Sequence, residues 1–530
     1  MYSVTQFLHN NARSTPRAMA TTFLDRQQDW NTLQRRVSQL AGALRSMGVE
    51  EGDRVAILSL NRDRYLEYFF AVWWAGAAVV PMNTRWSPAE SAYALKDAGA
   101  EILFIDEAFA PQLTAIVADT QVHTSVFLGE GPVPEECLDY EDLVANGQAC
   151  EDANRSGEDL AGLYYTGGTT GFPKGVMLSQ RALWFNNISM GQAFRTVSGD
   201  VYLHAAPMFH LADGAFSGAA TVAGICHAFL PSFDPLSLMK IIEEAKVTQS
   251  VLVPSMLGKL INHPAFDANR LRSLRSTAYG ASPMPGGVMQ QLLDQLPWVN
   301  WVQGYGQTEM APLISLLASE NHVLEGPHSG KLRSAGKVAM GVEVRICDDN
   351  GDNLPNGEVG EIVTRSPGAM TGYWNRPEQT AEVLRDGWVH TGDGAYRDDD
   401  GFIFIVDRLK DMIVSGGENV FSAEVESALS THDSVEAVSV IGIPDDQWGE
   451  AVHAILFLKE GCAPSEDELI EHCKSLIASY KCPRSFTFRS DPLPLSGAGK
   501  VLKTELRKPF WEGRERGVAL RHCVNILTAS

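Results

Sequence analysis

Residues 164–179 read YYTGGTTGFPKGVMLS, which sets two tyrosines, three threonines and four glycines around a single lysine. Glycines let a backbone approach a ligand closely or take positive φ, threonine hydroxyls donate hydrogen bonds, and Lys174 brings a positive charge. Together these suit a polyphosphate. The P-loop is the nearest alternative, and it fails: its pattern needs Gly directly before Lys and Ser or Thr after it, where this chain has Pro173 and Gly175. Lys174 is therefore not expected to open a helix whose amides cradle phosphate.

Further strings with acids, hydroxyls, imidazole or cations follow along the chain. They are PMFH at 207–210, YGAS at 279–282, QGYGQTE at 303–309, HTGD at 390–393, DRLKD at 407–411, SGGENVFSAEVE at 415–426 and LSGAGK at 495–500. The apolar pattern between them predicts the elements that hold them. Thr32 precedes a run with Leu33, Val37, Leu40, Ala41 and Leu44 at helical spacing, which stops near Gly48 and gives way to an apolar strand at 55–60. Residues 68–81 read as a buried helix followed by a strand, being too short to span a bilayer. Segments 101–106, 124–129, 250–255 and 276–282 read as short buried strands between helices. This is α/β layering with largely parallel sheets. Beyond about residue 340, alternating strands separated by Asn/Asp/Gly turns predict a small β-rich, barrel-like subdomain over about 337–408. The texture turns to α+β after 408–411. The expected organisation is a large domain at 1–408, a small mobile α+β domain at 409–515 and a tail at 516–530.

At 530 residues the chain exceeds the size of one core, so two or more domains are expected. Hydrophobic residues at 45% and charged ones at 20% are ordinary for a soluble globular protein. A net charge of −22 excludes a general binder of nucleic acid or anionic membrane, so phosphates would bind at a local pocket. The eight cysteines (137, 150, 226, 347, 462, 473, 482 and 523) are scattered without metal spacing and read as reduced thiols of a cytoplasmic protein. The start has no basic region leading into an apolar run, so no signal peptide is expected.

The string from Thr166 to Gly175 resembles the phosphate loop of the adenylate-forming superfamily of acyl-CoA synthetases, luciferases and peptide-synthetase adenylation domains. The other strings are similar to that family's motifs and stand in its order, covering nearly the whole chain to about residue 510. The resemblance implies that a carboxylic acid reacts with ATP to give an acyl-adenylate and pyrophosphate, after which the thiol of coenzyme A displaces AMP. A carboxylate is already ionised at neutral pH, so the first step needs two anions held together by cations and donors rather than a base.

Carried over residue by residue, the resemblance implies that Thr166, Gly167, Gly168, Thr169, Thr170 and Lys174 hold the β- and γ-phosphates. Glu309 would carry Mg²⁺ and Thr308 would meet the α-phosphate. Tyr305, flanked by Gly304 and Gly306, would stack on adenine, with Gly280, Ala281 and Ser282 on the other side of the base. Asp393 would accept both ribose hydroxyls, assisted by Arg408. Lys500 would bridge the carboxylate and the α-phosphate, with Lys503 a nearby decoy. Lys410 would be the hinge about which the C-terminal domain rotates, bringing Ser415, Gly416, Gly417 and Glu418 to the pantetheine arm. His210 would line the acyl tunnel near the thiol path.

Amino-acid-activating relatives place an Asp directly after the motif's Phe. Here His210 follows Phe209, and Asp213 reads as structural. By family position the acyl pocket would be lined by Trp184, Asn187, His210, Asp213, Phe216, Tyr279, Gly304, Met310 and Pro312. This mostly apolar set is expected to take a medium or long fatty acid, with an aryl or arylalkanoic acid as the alternative. Transfer to a carrier protein is the runner-up acceptor chemistry, although no carrier domain is seen after Lys500, and a non-catalytic nucleotide sensor is the reading from another class. A homodimer is common among similar enzymes.

Overall fold

The computed structural model describes residues 2–166, 173–282, 284–326, 328–409, 411–416, 418–496 and 501–512. Two parallel-rich sheets form the large N-terminal part. The first runs, in spatial order, Lys337–Val338, Leu313–Leu317, Asn300–Gly306, Ser276–Gly280, Gln249–Val251, Val201–His204, Cys226–Phe229, Met19–Phe23 and Arg26–Asp29. It is parallel from Asn300–Gly306 to Met19–Phe23 and antiparallel at both ends. The second runs Gly372–Tyr373, Lys174–Ser179, Leu160–Thr166, Ala78–Pro81, Arg54–Leu58, Ile102–Ile105, Thr124–Phe127 and Cys137–Asp139.

The local reading of the sequence holds in its essentials. The amphipathic run becomes the helix Trp30–Ser46, capped by Asp29, whose carboxylate accepts the Thr32 N–H at 2.8 Å. The apolar stretch at 68–81 is the end of the helix Asp63–Ala75, closed by Gly76 in the left-handed conformation, and the strand Ala78–Pro81. The expected strand at 250–255 is shorter, Gln249–Val251, because Pro254 starts the helix Pro254–Ile261.

Strand alternation gives the first sheet two faces with different covers. Tyr202, Phe229, Val251 and Ala278 pack with Leu183, Met190 and Phe216 of the helices Gln180–Ala193 and Leu211–Val222. Leu203, Ala228, Leu252, Tyr279 and Trp301 pack on the other side with Leu238, Leu257 and Leu292 of the helices Pro235–Glu244, Pro254–Ile261 and Gly286–Gln295.

A five-stranded antiparallel sheet follows, built from Glu343–Cys347, Gly360–Arg365, Trp388–Arg397, Leu384–Arg385 and Ile403–Arg408. The C-terminal sheet comprises Glu418–Val420, Ile413–Ser415, Gly449–Leu458, Val435–Asp445 and Ser485–Arg489. Val425, Leu429 and Leu469 cover one of its faces, while Leu506 of the helix Lys503–Trp511 packs on Ile441 and Ile455. Among the described residues no helix is long and apolar enough to cross a membrane, and the seven cysteines present are free.

Candidate active site

The strands Leu160–Thr166 and Lys174–Ser179 form an antiparallel hairpin whose last register pair is Thr166 opposite Lys174. The loop between them is therefore clamped at its base by the hydroxyl and the cation that the sequence singles out. Lys174 opens a strand and no helix, in keeping with the failed P-loop pattern. Gly167, Gly168, Thr169 and Thr170 of the loop lie outside the described residues, as do Lys410, Gly417 and Lys500.

Across from the hairpin, the strand Asn300–Gly306 leads into the 3₁₀ turn Thr308–Met310, which carries Thr308 and Glu309. Gly280 and Gly304 are register partners on neighbouring strands, and a Cβ on Gly280 would fall 2.2 Å from the Gly304 carbonyl oxygen. Bare backbone is required there. Ala281 follows at φ +66°, a left-handed conformation uncommon outside glycine, and leads to Ser282.

Asp393 lies on Trp388–Arg397 opposite Arg408 on Ile403–Arg408. Its Oδ1 is 2.6 Å from Arg408 Nε and its Oδ2 accepts the Tyr305 hydroxyl at 2.7 Å, with Asp393 only 5% exposed. Burial and the Asp393 carboxylate push the Tyr305 phenol well above its ordinary range, so it remains a donor. Arg408 is raised chiefly by Asp393. Each carboxylate oxygen has a second lone pair, so Asp393 can still accept hydroxyls from a ligand.

Tyr373 was not singled out in the sequence. Its hydroxyl donates to Glu309 Oε1 at 2.7 Å and its ring centroid lies 5.2 Å from Lys174 Nζ. A two-residue strand is too short for periodicity to flag, and Tyr373 and Glu309 stand 64 residues apart in the sequence. Glu309 is a hard oxygen ligand, and no group of three or more His, Cys, Asp or Glu gathers into a cage among the described residues. That donor set fits Mg²⁺, which binds through one or two carboxylates plus substrate phosphates.

His210 caps the helix Leu211–Val222: its Nδ1 accepts the Ala212 N–H at 3.2 Å, which leaves the proton of the neutral ring on Nε2. The residues expected to line the acyl pocket pack against different neighbours. Phe216 stacks on Tyr202, and Asn187 packs against Gly218, where a Cβ would meet the amide. Trp184 packs on Tyr2 and Phe7, ring centroids 5.1 and 6.2 Å away, because its helix position faces the N-terminal segment. Met310 is drawn under the β-rich region with Phe185, Val342 and Val389. Tyr279 lies on the opposite face of the sheet from Ala278, its hydroxyl 2.9 Å from His322 Nε2. Asp213 is fully buried and bonded to Tyr202 and His204, as a structural carboxylate would be. Pro312 packs by backbone, its carbonyl accepting the Gln307 N–H at 3.0 Å.

In the C-terminal lobe, Ser415 pairs with Glu418, and Gly416 lies against the Trp448 ring, donating its N–H to the Trp448 carbonyl at 2.8 Å. Among the contacts that tie this lobe to the rest, the Asp407 carboxylate accepts both the N–H and the hydroxyl of Ser422 at 2.6 Å, and Arg85 donates to the Ser496 carbonyl at 2.5 Å. Ser496 stands four residues before Lys500, and Trp86, next to Arg85, contacts Tyr165 beside the phosphate hairpin.

The family model of the AMP-binding enzymes matches residues 8–374, and that of the AMP-binding enzyme C-terminal domain matches 424–500. The chain belongs to the AMP-binding enzymes. A feruloyl-CoA synthase of Amycolatopsis sp is 39% identical over 500 residues, covering 94% of this chain and 97% of the relative. A medium/long-chain-fatty-acid–CoA ligase of Mycobacterium tuberculosis is 35% identical, covering 91% and 86%. The o-succinylbenzoate coenzyme A synthetase of Bacillus subtilis, solved with ATP and magnesium ion, superimposes with a TM-score of 0.81 at 29% identity, covering 94% of this chain and 98% of that one. As an AMP-binding enzyme of this kind, the protein is an ATP-dependent acid–thiol ligase that works with ATP, Mg²⁺ and coenzyme A.

Proposed function

We propose that this AMP-binding enzyme activates an oxygen-bearing aryl acid of the hydroxycinnamate kind and transfers it to coenzyme A. A carboxylate oxygen attacks the α-phosphorus of ATP, the bond to the departing pyrophosphate breaks, and the acyl-adenylate forms. The coenzyme A thiolate then attacks the acyl carbon and AMP leaves with its phosphate oxygen.

Thr166, Lys174 and the loop between them would hold the departing phosphates. Asp393, steadied by Arg408 and Tyr305, would accept the ribose hydroxyls. Glu309 would hold Mg²⁺, which supplies charge neutralisation across the phosphates. Lys500 would bridge the carboxylate and the α-phosphate. A domain at 409–515 turning about Lys410 would exchange Lys500 for the Ser415–Glu418 hairpin between the two steps, with His210 near the thiol path.

The observation that carries the substrate class is Asn187. Its residue is 3% exposed, and its amide nitrogen sits where a Cβ on Gly218 would fall, so Gly218, on the helix that begins at His210, leaves it room. A ring hydroxyl or methoxy oxygen would give that amide a hydrogen-bond partner, which an alkyl chain cannot. The feruloyl-CoA synthase relatives support the same class.

The test is pyrophosphate release with ferulate, coumarate, cinnamate, benzoate, octanoate and palmitate, with and without coenzyme A. We expect the highest kcat/KM on the oxygenated cinnamates, rising with coenzyme A. Asn187→Leu should erase most of the preference for ferulate over cinnamate, about tenfold or more. A preference for octanoate or palmitate would return the pocket to a fatty acid.

A further inference from the structure

We propose that Tyr373 is a positioning residue that sets the Glu309 carboxylate for the metal and the Lys174 ammonium for the phosphates. The inference rests on the reading above in which Glu309 holds Mg²⁺ and Lys174 meets the phosphates. It is carried by two contacts from one side chain: the hydroxyl at 2.7 Å from Glu309 Oε1, and the ring 5.2 Å from Lys174 Nζ, within cation–π range. An ionised carboxylate only accepts, so the phenol is the donor. It occupies one lone pair of Oε1 and fixes the rotation of the group, leaving Oε2 for a cation.

The backbone around Tyr373 is held from both sides, as a positioning group requires. Gly372 and Tyr373 pair in register with Met177 and Val176, on the strand that begins at Lys174. The Trp374 N–H reaches the Gly175 carbonyl at 2.8 Å, and the Met370 N–H reaches the Glu309 carbonyl at 2.8 Å. The Tyr373 N–H donates to Thr380 Oγ1 at 2.9 Å. Gly372 has φ +147°, and a Cβ there would meet Thr380 Cγ2 at 2.9 Å, so this close crossing admits no side chain. Five residues thus stitch the Glu309 turn to the strand of Lys174.

The experiment is a titration of Mn²⁺ in the presence of ATP, read by loss of the free-ion EPR signal, on the wild type, Tyr373→Phe, Glu309→Gln and the double variant. Circular dichroism melting reports folding of each. We expect Tyr373→Phe to weaken Mn²⁺ binding about tenfold with little change in melting, Glu309→Gln to weaken it more, and the double variant to match Glu309→Gln alone. Tyr373→Leu, which also removes the ring, should in addition weaken metal-free ATP binding several-fold. Unchanged Mn²⁺ binding in Glu309→Gln would overturn the metal reading itself. Weakened binding in Glu309→Gln with none in Tyr373→Phe, or additive losses in the double variant, would overturn the role of Tyr373 and leave the metal reading standing.

Discussion

Asp213 and His204 face each other at 2.7 Å, Oδ2 to Nδ1, with neither side chain exposed. The other Asp213 oxygen accepts the Tyr202 hydroxyl at 2.6 Å, and His204 Nε2 lies 3.0 Å from His227 Nδ1. His227 continues to Thr221 at 3.2 Å, which donates to the Ser217 carbonyl at 2.6 Å. Burial, with His204, pushes His227 well below its ordinary value, so that ring is neutral. This buried chain bolts the helix Leu211–Val222 to the strands Val201–His204 and Cys226–Phe229. Both Asp213 oxygens are engaged by the sheet, which removes the resemblance to an amine-binding aspartate.

Asp213→Ala should therefore act on stability. Removing one partner of a buried charged network typically costs about 3–5 kcal/mol. Urea unfolding should show a loss of that size, while pyrophosphate release with amino acids stays at background for the parent enzyme. A variant as stable as the parent would contradict this role.

Much of the scaffold was legible because its signals are local. The run from Leu33 to Leu44 repeats at helical spacing and is buried in that pattern, and Gly76 stops the next helix where a left-handed residue is needed. The motif residues Thr166, Lys174, Tyr305, Asp393 and Arg408 stand in paired strands. Side-chain direction was less legible. A position near a pocket does not say which face of the element a side chain takes: Ala278 and Tyr279 part to opposite faces of one strand, and Trp184 is claimed by Tyr2 and Phe7. Tyr373 and His322 depend on partners tens of residues away that no short window contains.

The proposed ribose contact of Asp393 makes a kinetic prediction. Asp393→Asn keeps the shape but removes the charge that Arg408 faces, and hydrogen bonds to charged groups contribute about 1.5–3 kcal/mol. The KM for ATP should rise roughly 10- to 100-fold, with Tyr305→Phe giving a smaller rise because only one donor is lost. Since both act on one carboxylate, the double variant should fall short of the product of the single effects. Strict multiplicativity in steady-state kinetics would show that the Tyr305–Asp393 contact does not matter to ATP.

His322 makes a pH prediction. Burial lowers it from 6.5 to about 4, so the folded protein keeps the ring neutral while it accepts the Tyr279 hydroxyl. Between about pH 6.5 and 4 the unfolded chain takes up a proton that the folded one refuses, so this contribution is intact above that window and is lost as pH falls through it, by roughly 3 kcal/mol. His322→Gln retains an acceptor for Tyr279 without the titration. Its urea midpoint should fall less steeply than the parent's between pH 7 and 5, and an identical slope would count against the assignment.

The two lysines near the end of the chain should separate cleanly. Lys503 is 2.8 Å from Glu426 Oε1, touches the Ser422 hydroxyl, and stands three residues after Lys500 in the sequence. Ser422 in turn donates to Asp407, and four residues beyond Lys503, Arg507 pairs with Asp411 at 2.9 Å, so the helix Lys503–Trp511 is fastened to the acids on both sides of residue 410. Losing the Lys503 charge leaves the half-buried Glu426 without its cation, a change worth about 1–3 kcal/mol. Lys503→Met should lower the thermal midpoint and make the C-terminal lobe prone to proteolysis, with adenylation reduced only in proportion to the folded fraction. Lys500→Ala should leave melting unchanged and abolish pyrophosphate release, while AMP formation from a supplied acyl-adenylate and coenzyme A persists. If Lys503→Met instead spared stability and removed pyrophosphate release, the catalytic cation would have to be reassigned to Lys503.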